Sequence, residues 1–119
     1  MSKSYDDQNI FAKILRGEIP NNTVLENDHV LAFRDIAPHA PVHILVIPKK
    51  PYVDADDFGT HASADEAQAM FQAIADIVRS ENLKDGYRLI ANTGAHGGQE
   101  VPHFHMHILG GEVIGKLRG

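Results

Sequence analysis

The chain contains no cysteine, which excludes disulfide bridges, thiolate catalysis and cysteine-based metal sites together. It also lacks long apolar runs, since the longest strongly apolar stretch covers only residues 44–47. The first residues carry no apolar segment of the kind found in signal peptides. We therefore expect a cytoplasmic protein that neither spans nor enters a membrane.

Positive charge is also in short supply. The chain has 11 Lys and Arg residues against 16 Asp and Glu residues, which gives a formal net charge of −5. Such a surface lacks the basic field that binding to DNA or RNA requires, so a polynucleotide partner is not expected. A small phosphate ester remains possible, because backbone N–H groups can hold one phosphate whatever the net charge.

The composition is that of an ordinary globular protein, with 43% hydrophobic and 23% charged residues. A chain of 119 residues is long enough to bury a core and too short for two domains. We expect a single domain over residues 1–119.

Two segments have helical patterns. Apolar residues at helical spacing, ended by Gly17, predict a first helix over residues 8–16. Ser63 followed by Glu66 forms a capping box, which predicts a second helix over residues 64–81. The apolar stripe of this helix, which we expect to be core, consists of Ala67, Met70, Phe71, Ile74 and Val78.

Five segments have strand patterns, and the stretch from residue 52 to residue 62 is expected to be a loop. Five strands and two helices predict an α+β fold with a five-stranded, mainly antiparallel sheet. The predicted strands cover residues 23–26, 30–34, 42–47, 87–92 and 103–108.

The last of these strands carries three histidines at alternate positions. Because successive side chains of a strand point to opposite faces, His103, His105 and His107 are expected to share one face of the sheet. About 0.04 such matches are expected by chance in a chain with 8 histidines. Imidazole exchanges protons near neutral pH, so the cluster indicates catalysis, metal binding or pH sensing.

A metal site is one alternative interpretation of these histidines. At about 3.3 Å per residue, His103 and His107 are about 13 Å apart along a strand, too far to share one ion. His105 with one neighbour and His43 could share one. His43, taken alone, would be interpreted as a buried core histidine.

Several segments together resemble the histidine triad (HIT) family, and most closely its Hint branch. The histidine strand is preceded by Gly-Gly-Gln and followed by Leu109-Gly110-Gly111. The resemblance is strongest over residues 8–111. The other matching segments are residues 11–14, 18–20, 31–36 and 40–50.

The resemblance implies a homodimer whose two sheets join into one continuous sheet. It also implies binding of purine nucleoside monophosphates and hydrolysis of their phosphoramidates, without a metal or organic cofactor. In that family the middle histidine, here His105, attacks the α-phosphorus and forms a nucleotidyl-histidine intermediate.

The other site residues follow from the same resemblance and from chemistry. His107 is placed to protonate the leaving amine, and His103 is expected to orient the group through the backbone or through His43. Asp35 is expected to bind the ribose hydroxyls. The residues expected around the base are Ile10, Phe11, Ile14, Phe33, Arg34 and Ile36, and those expected around the phosphate are Asn92, Gly98, Gln99, Glu100 and Val101.

A second function stays open at this point. Glu100 stands where many Hint proteins have serine, and only eight residues follow Gly111. These departures favour an alternative in which the protein is a nucleotide-binding regulator with vestigial hydrolysis.

Overall fold

The structure is a computed structural model that describes residues 4–117. The domain expected over residues 1–119 therefore extends beyond the described part by residues 1–3 and 118–119. In chain order the elements are α1 (Ile10–Leu15), β1 (Thr23–Glu26), β2 (Val30–Arg34), β3 (Val42–Pro48), α2 (Ala55–His61), α3 (Ala64–Ser80), β4 (Tyr87–Ile90), α4 (Gly94–Gly97) and β5 (Met106–Gly110).

The five strands form one sheet in the order β1-β2-β3-β5-β4, and every neighbouring pair is antiparallel. The predicted α+β class and the antiparallel sheet are confirmed. The prediction of two helices is wrong, because residues 4–117 contain four.

Helix α2 lies in the stretch that was expected to be a loop. Asp54 caps it by accepting a 2.9 Å hydrogen bond from the Asp57 N–H, and acidic residues in the first turn suit the helix dipole. These local signals outweigh the unfavourable effect of Gly59. The fourth helix, α4, is a single turn in the glycine-bearing loop, where Gly94 and Gly98 adopt positive φ.

Strand β3 is central and is buried on both faces. One face, with Ile44 and Val46, packs in the main core together with Met70 and Ile77 of α3 and Ile108 of β5. The opposite face is covered only in part, by a smaller cluster that includes α1. That cluster consists of Phe11, Leu31, Phe33, Leu45 and Ile47.

Helix α3 begins at the predicted capping box, with both Ser63 and Glu66 hydrogen bonds formed. Its predicted apolar stripe is wrong at Phe71, whose side chain is 58% exposed. Met70, Ala73, Ile74 and Ile77 form the buried stripe, and Phe71 lies about 100° further round the helix from Met70.

The histidine strand is shorter than predicted. β5 begins at Met106, which pairs with Val46, so Pro48 would stand opposite Phe104 if the ladder continued. Pro48 has no N–H to donate, and the Phe104 N–H instead bonds the Tyr52 carbonyl at 2.7 Å. His103 and His105 therefore lie in irregular chain just before the strand. Phe104, Met106 and Ile108 still pack toward the main core, as predicted.

The longest helix, α3, has 17 residues. Within residues 4–117, no helix combines the length and the apolar character that crossing a bilayer requires.

Candidate active site

A cavity of about 690 Å³ opens on the partly covered face of the sheet. Fourteen of the sixteen site residues predicted from the sequence line it, and Gln99 and His103 do not. The predicted residues at the cavity wall are Ile10, Phe11, Ile14, Phe33, Arg34, Asp35, Ile36, His43, Asn92, Gly98, Glu100, Val101, His105 and His107.

His105 is held in one tautomer by the backbone of His103. Its Nδ1 lies 2.7 Å from the carbonyl oxygen of His103, and because a carbonyl only accepts, Nδ1 carries the proton. The lone pair is therefore on Nε2. The edge-to-face contact with Phe11, with ring centroids 4.9 Å apart, holds the ring against the cavity wall.

His103 lies behind the cavity and is fully buried, with 0% of its surface exposed. Its Nε2 donates to the Pro48 carbonyl at 2.8 Å, and its Nδ1 is 2.6 Å from the Tyr5 hydroxyl. A partner from the backbone or from His43 was expected for His103, and the structure has the backbone partner. His43 pairs with His107 instead.

His43 and His107 form a hydrogen-bonded pair, and the loop after β2 fixes the tautomer of His43. The His39 N–H donates to Nδ1 of His43 at 3.0 Å, so the proton of neutral His43 is on Nε2. That Nε2 lies 2.9 Å from Nδ1 of His107 and 3.5 Å from Oδ2 of Asp35. His107 therefore accepts at Nδ1 and carries its own proton on Nε2.

Burial keeps these imidazoles uncharged. Desolvation lowers the pKa of His103 to about 4. It also lowers the pKa of His107 to about 4, with help from His105 and His43. The pKa values of His43 and His105 are lowered mainly by the same desolvation, against the opposing charge of Asp35.

Within residues 4–117, one group could hold a metal ion. Ligand atoms of Asp35, His43 and His107 lie within 4.8 Å of one another. This set differs from the one expected from the sequence, because His105 is not part of it. A cation there would have to replace the proton that joins His43 to His107.

Two predicted binding residues are engaged within the protein. The fork of Arg34 makes two hydrogen bonds of 2.9 Å to the carboxylate of Glu81. The Gln99 amide donates to the carbonyls of Val53 and Val101, which fixes the loop from behind.

The backbone of the same loop is engaged as well. The N–H groups of Gly98 and Gln99 donate to the carbonyls of Ala95 and Gly94 in the turn around α4. These two N–H groups hold the loop in shape.

Sequence reasoning missed two residues that contact the histidines. His39 is an exposed residue of the loop after β2, but it lines the cavity and its N–H fixes His43. Tyr5 reaches His103 across 98 positions of sequence. No spacing pattern signals such a contact, because it depends on how residues 4–9 approach the histidines in the assembled fold.

A second cavity, of about 560 Å³, lies between residues 82–88 and 111–115. None of the described histidines lines it, so the candidate chemistry is confined to the first cavity.

Known proteins resemble this chain along most of its length. A family model described as the HIT domain matches residues 16–113. A purine nucleoside phosphoramidase from Escherichia coli (strain K12) is 48% identical over 115 residues, which is 93% of each chain.

Solved structures give the same result. A histidine triad protein from Clostridium difficile superposes with a TM-score of 0.83 at 40% identity, covering 95% of this chain and 98% of that one. A HIT family hydrolase from Legionella pneumophila superposes with a TM-score of 0.79 at 39% identity, covering 92% and 98%.

The buried His103 predicts a pH dependence of stability. Its pKa is about 4 in the folded chain against an ordinary 6.5, so the unfolded chain binds the proton first as the pH falls. The contribution of His103 to the free energy of unfolding is fully present above pH 6.5. It falls by about 3 kcal/mol in all as the pH drops to 4. Between pH 6.5 and 5, His103→Asn should therefore reduce the slope of unfolding free energy against pH by up to about 1.4 kcal/mol per unit.

Urea unfolding of both proteins at a series of pH values measures the two slopes. Parallel slopes for the wild type and His103→Asn would contradict this assignment, even if the variant is less stable at every pH.

Proposed function

Because the chain belongs to the HIT domain family, we propose that it is a hydrolase of nucleoside phosphoramidates, acting on purine nucleoside monophosphates joined to an amine. The observation that carries this proposal is the His105 tautomer, since its Nδ1 proton is bound to a carbonyl and its Nε2 lone pair is available in a cavity. The printed activity of the Escherichia coli relative supports the substrate class.

The first step is attack by His105. A neutral imidazole is a competent nucleophile toward phosphorus near pH 7. As Nε2 forms a bond to the α-phosphorus, the P–N bond to the leaving amine breaks. The positive charge that develops on the imidazole is stabilised by the Nδ1–H bond to the His103 carbonyl.

The leaving amine needs a proton, and His107 is the neighbouring acid. Its ring lies 5.1 Å from the His105 ring, centroid to centroid, and its Nε2 carries a proton. An anionic phosphate among the imidazoles favours their charged forms, so substrate binding raises the pKa of His107. As the phosphate binds, the His43–His107 pair takes up one proton from solvent, and His107 gives the proton on its Nε2 to the amine, which departs neutral.

The second step returns the enzyme to its starting state. Water attacks the phosphorus of the nucleotidyl-His105 intermediate, and His107 accepts a proton from that water. The P–N bond to His105 breaks, and the nucleoside monophosphate leaves. Over the two steps, every bond broken and every proton transferred is accounted for without a metal or cofactor.

The nucleoside occupies the part of the cavity between α1 and β2. Phe11, Phe33 and the half-exposed Ile10 supply an apolar wall for a flat base. Asp35 accepts hydrogen bonds from the ribose hydroxyls. Its Oδ1 already accepts a hydrogen bond of 2.8 Å from the Ala37 N–H, which orients the carboxylate. Asn92 and the Glu100 backbone face the phosphate.

The assembly we propose is a homodimer. β4 is an edge strand of the described sheet, and Tyr87 on it is 44% exposed. Phe71 of α3 is an exposed aromatic as well. Pairing of two β4 edges would satisfy their backbone groups and join the two sheets into one.

Replacement of the nucleophile tests the mechanism. His105→Ala should lower the turnover of adenosine monophosphoramidate by at least about 10³-fold, with chelator present, because a covalent nucleophile is lost. His29→Ala, which removes an exposed histidine from the β1–β2 turn, is the matched control and should retain wild-type turnover. Mass spectrometry of quenched wild-type enzyme should show an adduct of nucleotide mass on His105.

Retention of turnover in His105→Ala would contradict the mechanism. Tight AMP binding by a wild type that turns over none of a panel of amine leaving groups would instead support the nucleotide-binding regulator.

Replacement of Asp35 tests the ribose contact. A carboxylate that binds hydroxyls is worth about 10- to 100-fold in affinity, so wild-type enzyme should prefer a ribonucleoside substrate to its 2′,3′-dideoxy analogue by that factor in kcat/KM. Asp35→Asn should remove most of the preference, and Asp28→Asn on an exposed turn should keep it. An unchanged preference in Asp35→Asn would place the ribose elsewhere.

Light scattering tests the dimer. The expected mass is about twice the 13.1 kDa of one chain. A mass of one chain at micromolar concentration would refute the proposed assembly.

A further inference from the structure

Tyr5 contacts the histidine cluster from outside the cavity. Its hydroxyl oxygen lies 2.6 Å from Nδ1 of His103, and the two rings meet edge to face with centroids 5.6 Å apart. His103 is fully buried, so no solvent competes for this nitrogen. Tyr5 is therefore the partner that satisfies it.

The direction of this hydrogen bond follows from the other side of the ring. The Pro48 carbonyl accepts from Nε2 of His103 at 2.8 Å, so the single proton of the neutral ring is on Nε2. Nδ1 then has a lone pair, and the Tyr5 hydroxyl must donate to it. The ring is clamped through both nitrogens, one by β3 and one by the first segment of the chain.

The clamped residue is the one whose backbone fixes the nucleophile. The His103 carbonyl accepts the Nδ1–H of His105 at 2.7 Å, and this bond keeps the His105 lone pair on Nε2. A change in the position of the His103 ring moves the peptide that follows it. Orientation of the reacting atom therefore depends on how firmly His103 is held.

The segment that carries Tyr5 is itself fastened to α1. The side chain of Asn9 donates to the Asp6 carbonyl at 2.7 Å while it caps the helix at Ala12. Arg16, at the end of α1, donates to the Asp7 carbonyl at 2.7 Å. Tyr5 thus belongs to a built contact and not to a loose terminus.

We propose that Tyr5 is a positioning residue of the active site, whose hydroxyl holds the His103 ring in one orientation and thereby aligns His105. The effect on turnover rests on the proposed phosphoramidate hydrolysis. The effect on the two histidines does not, because it concerns the protein without substrate.

Tyr5→Phe removes only the hydroxyl and is the test. In ligand-free wild type, ¹⁵N NMR should show a protonated Nε2 on His103 and a protonated Nδ1 on His105. In Tyr5→Phe the Nδ1 signal of His103 should move toward that of a ring nitrogen without a hydrogen-bond donor while Nε2 stays protonated, and the His105 signals should shift with it. Turnover of adenosine monophosphoramidate should fall about 3- to 10-fold with KM within twofold, as expected for loss of one positioning hydrogen bond.

Thr60→Val is the control, because it removes a hydroxyl with little change of shape from an exposed position on α2. It should leave the nitrogen signals and kcat at wild-type values.

The proposal is overturned if Tyr5→Phe keeps wild-type signals for His103 and His105 and keeps kcat within twofold. A lower melting temperature with those signals and kcat unchanged overturns it equally, since Tyr5 would then be only a structural anchor. If the wild type hydrolyses no phosphoramidate, the proposed function fails, and the nitrogen signals alone still decide the role of Tyr5.

Discussion

A backbone carbonyl oxygen can only accept a hydrogen bond, and two such oxygens decide where the protons lie on His103 and His105. The Pro48 carbonyl places the proton of His103 on Nε2, and the His103 carbonyl places that of His105 on Nδ1. Because burial disfavours a second proton on either ring, each stays neutral with one defined lone pair. The candidate chemistry depends on this arrangement, since a doubly protonated ring has no lone pair with which to attack.

The sheet supplies the rigidity that this arrangement needs. β3 pairs on one side with β2 and on the other with β5, so His43 and His107 come from neighbouring strands of the same ladder. The face of β3 that carries Ile44 and Val46 packs against α3, which leaves little freedom for the strands to shift. The cavity face is covered only in part, by a cluster that includes α1, and this asymmetry makes room for a ligand beside a fixed row of imidazoles.

The parts of the fold that local pattern controls were predictable from the sequence. The β1–β2 hairpin, β3 and the capped helix α3 follow from alternation, apolar runs and the Ser63–Glu66 pair, and the structure has all of them. Helix α2 was not predicted, because Gly59 and the polar composition of its turns resemble a loop. Phe71 was placed in the core because it lies four residues after Ala67, but the buried stripe of α3 runs through Met70 and Ile74, and Phe71 lies about 100° from Met70. The contacts of Tyr5 and His39 were beyond prediction, since they link segments whose approach only the assembled fold determines.

The uncharged state of the cavity has a consequence for the end of a reaction cycle. The product of the proposed reaction, a nucleoside monophosphate, carries two negative charges on its phosphate, and such an anion bound among neutral imidazoles favours their protonated forms. When such a product leaves, those protons return to solvent. The affinity for the product should therefore depend on the pH of the medium. Because desolvation lowers the pKa of His43 and His107, such an anion should be held less tightly as the medium becomes more alkaline, so the burial that keeps the proposed nucleophile uncharged would also limit retention of the proposed product.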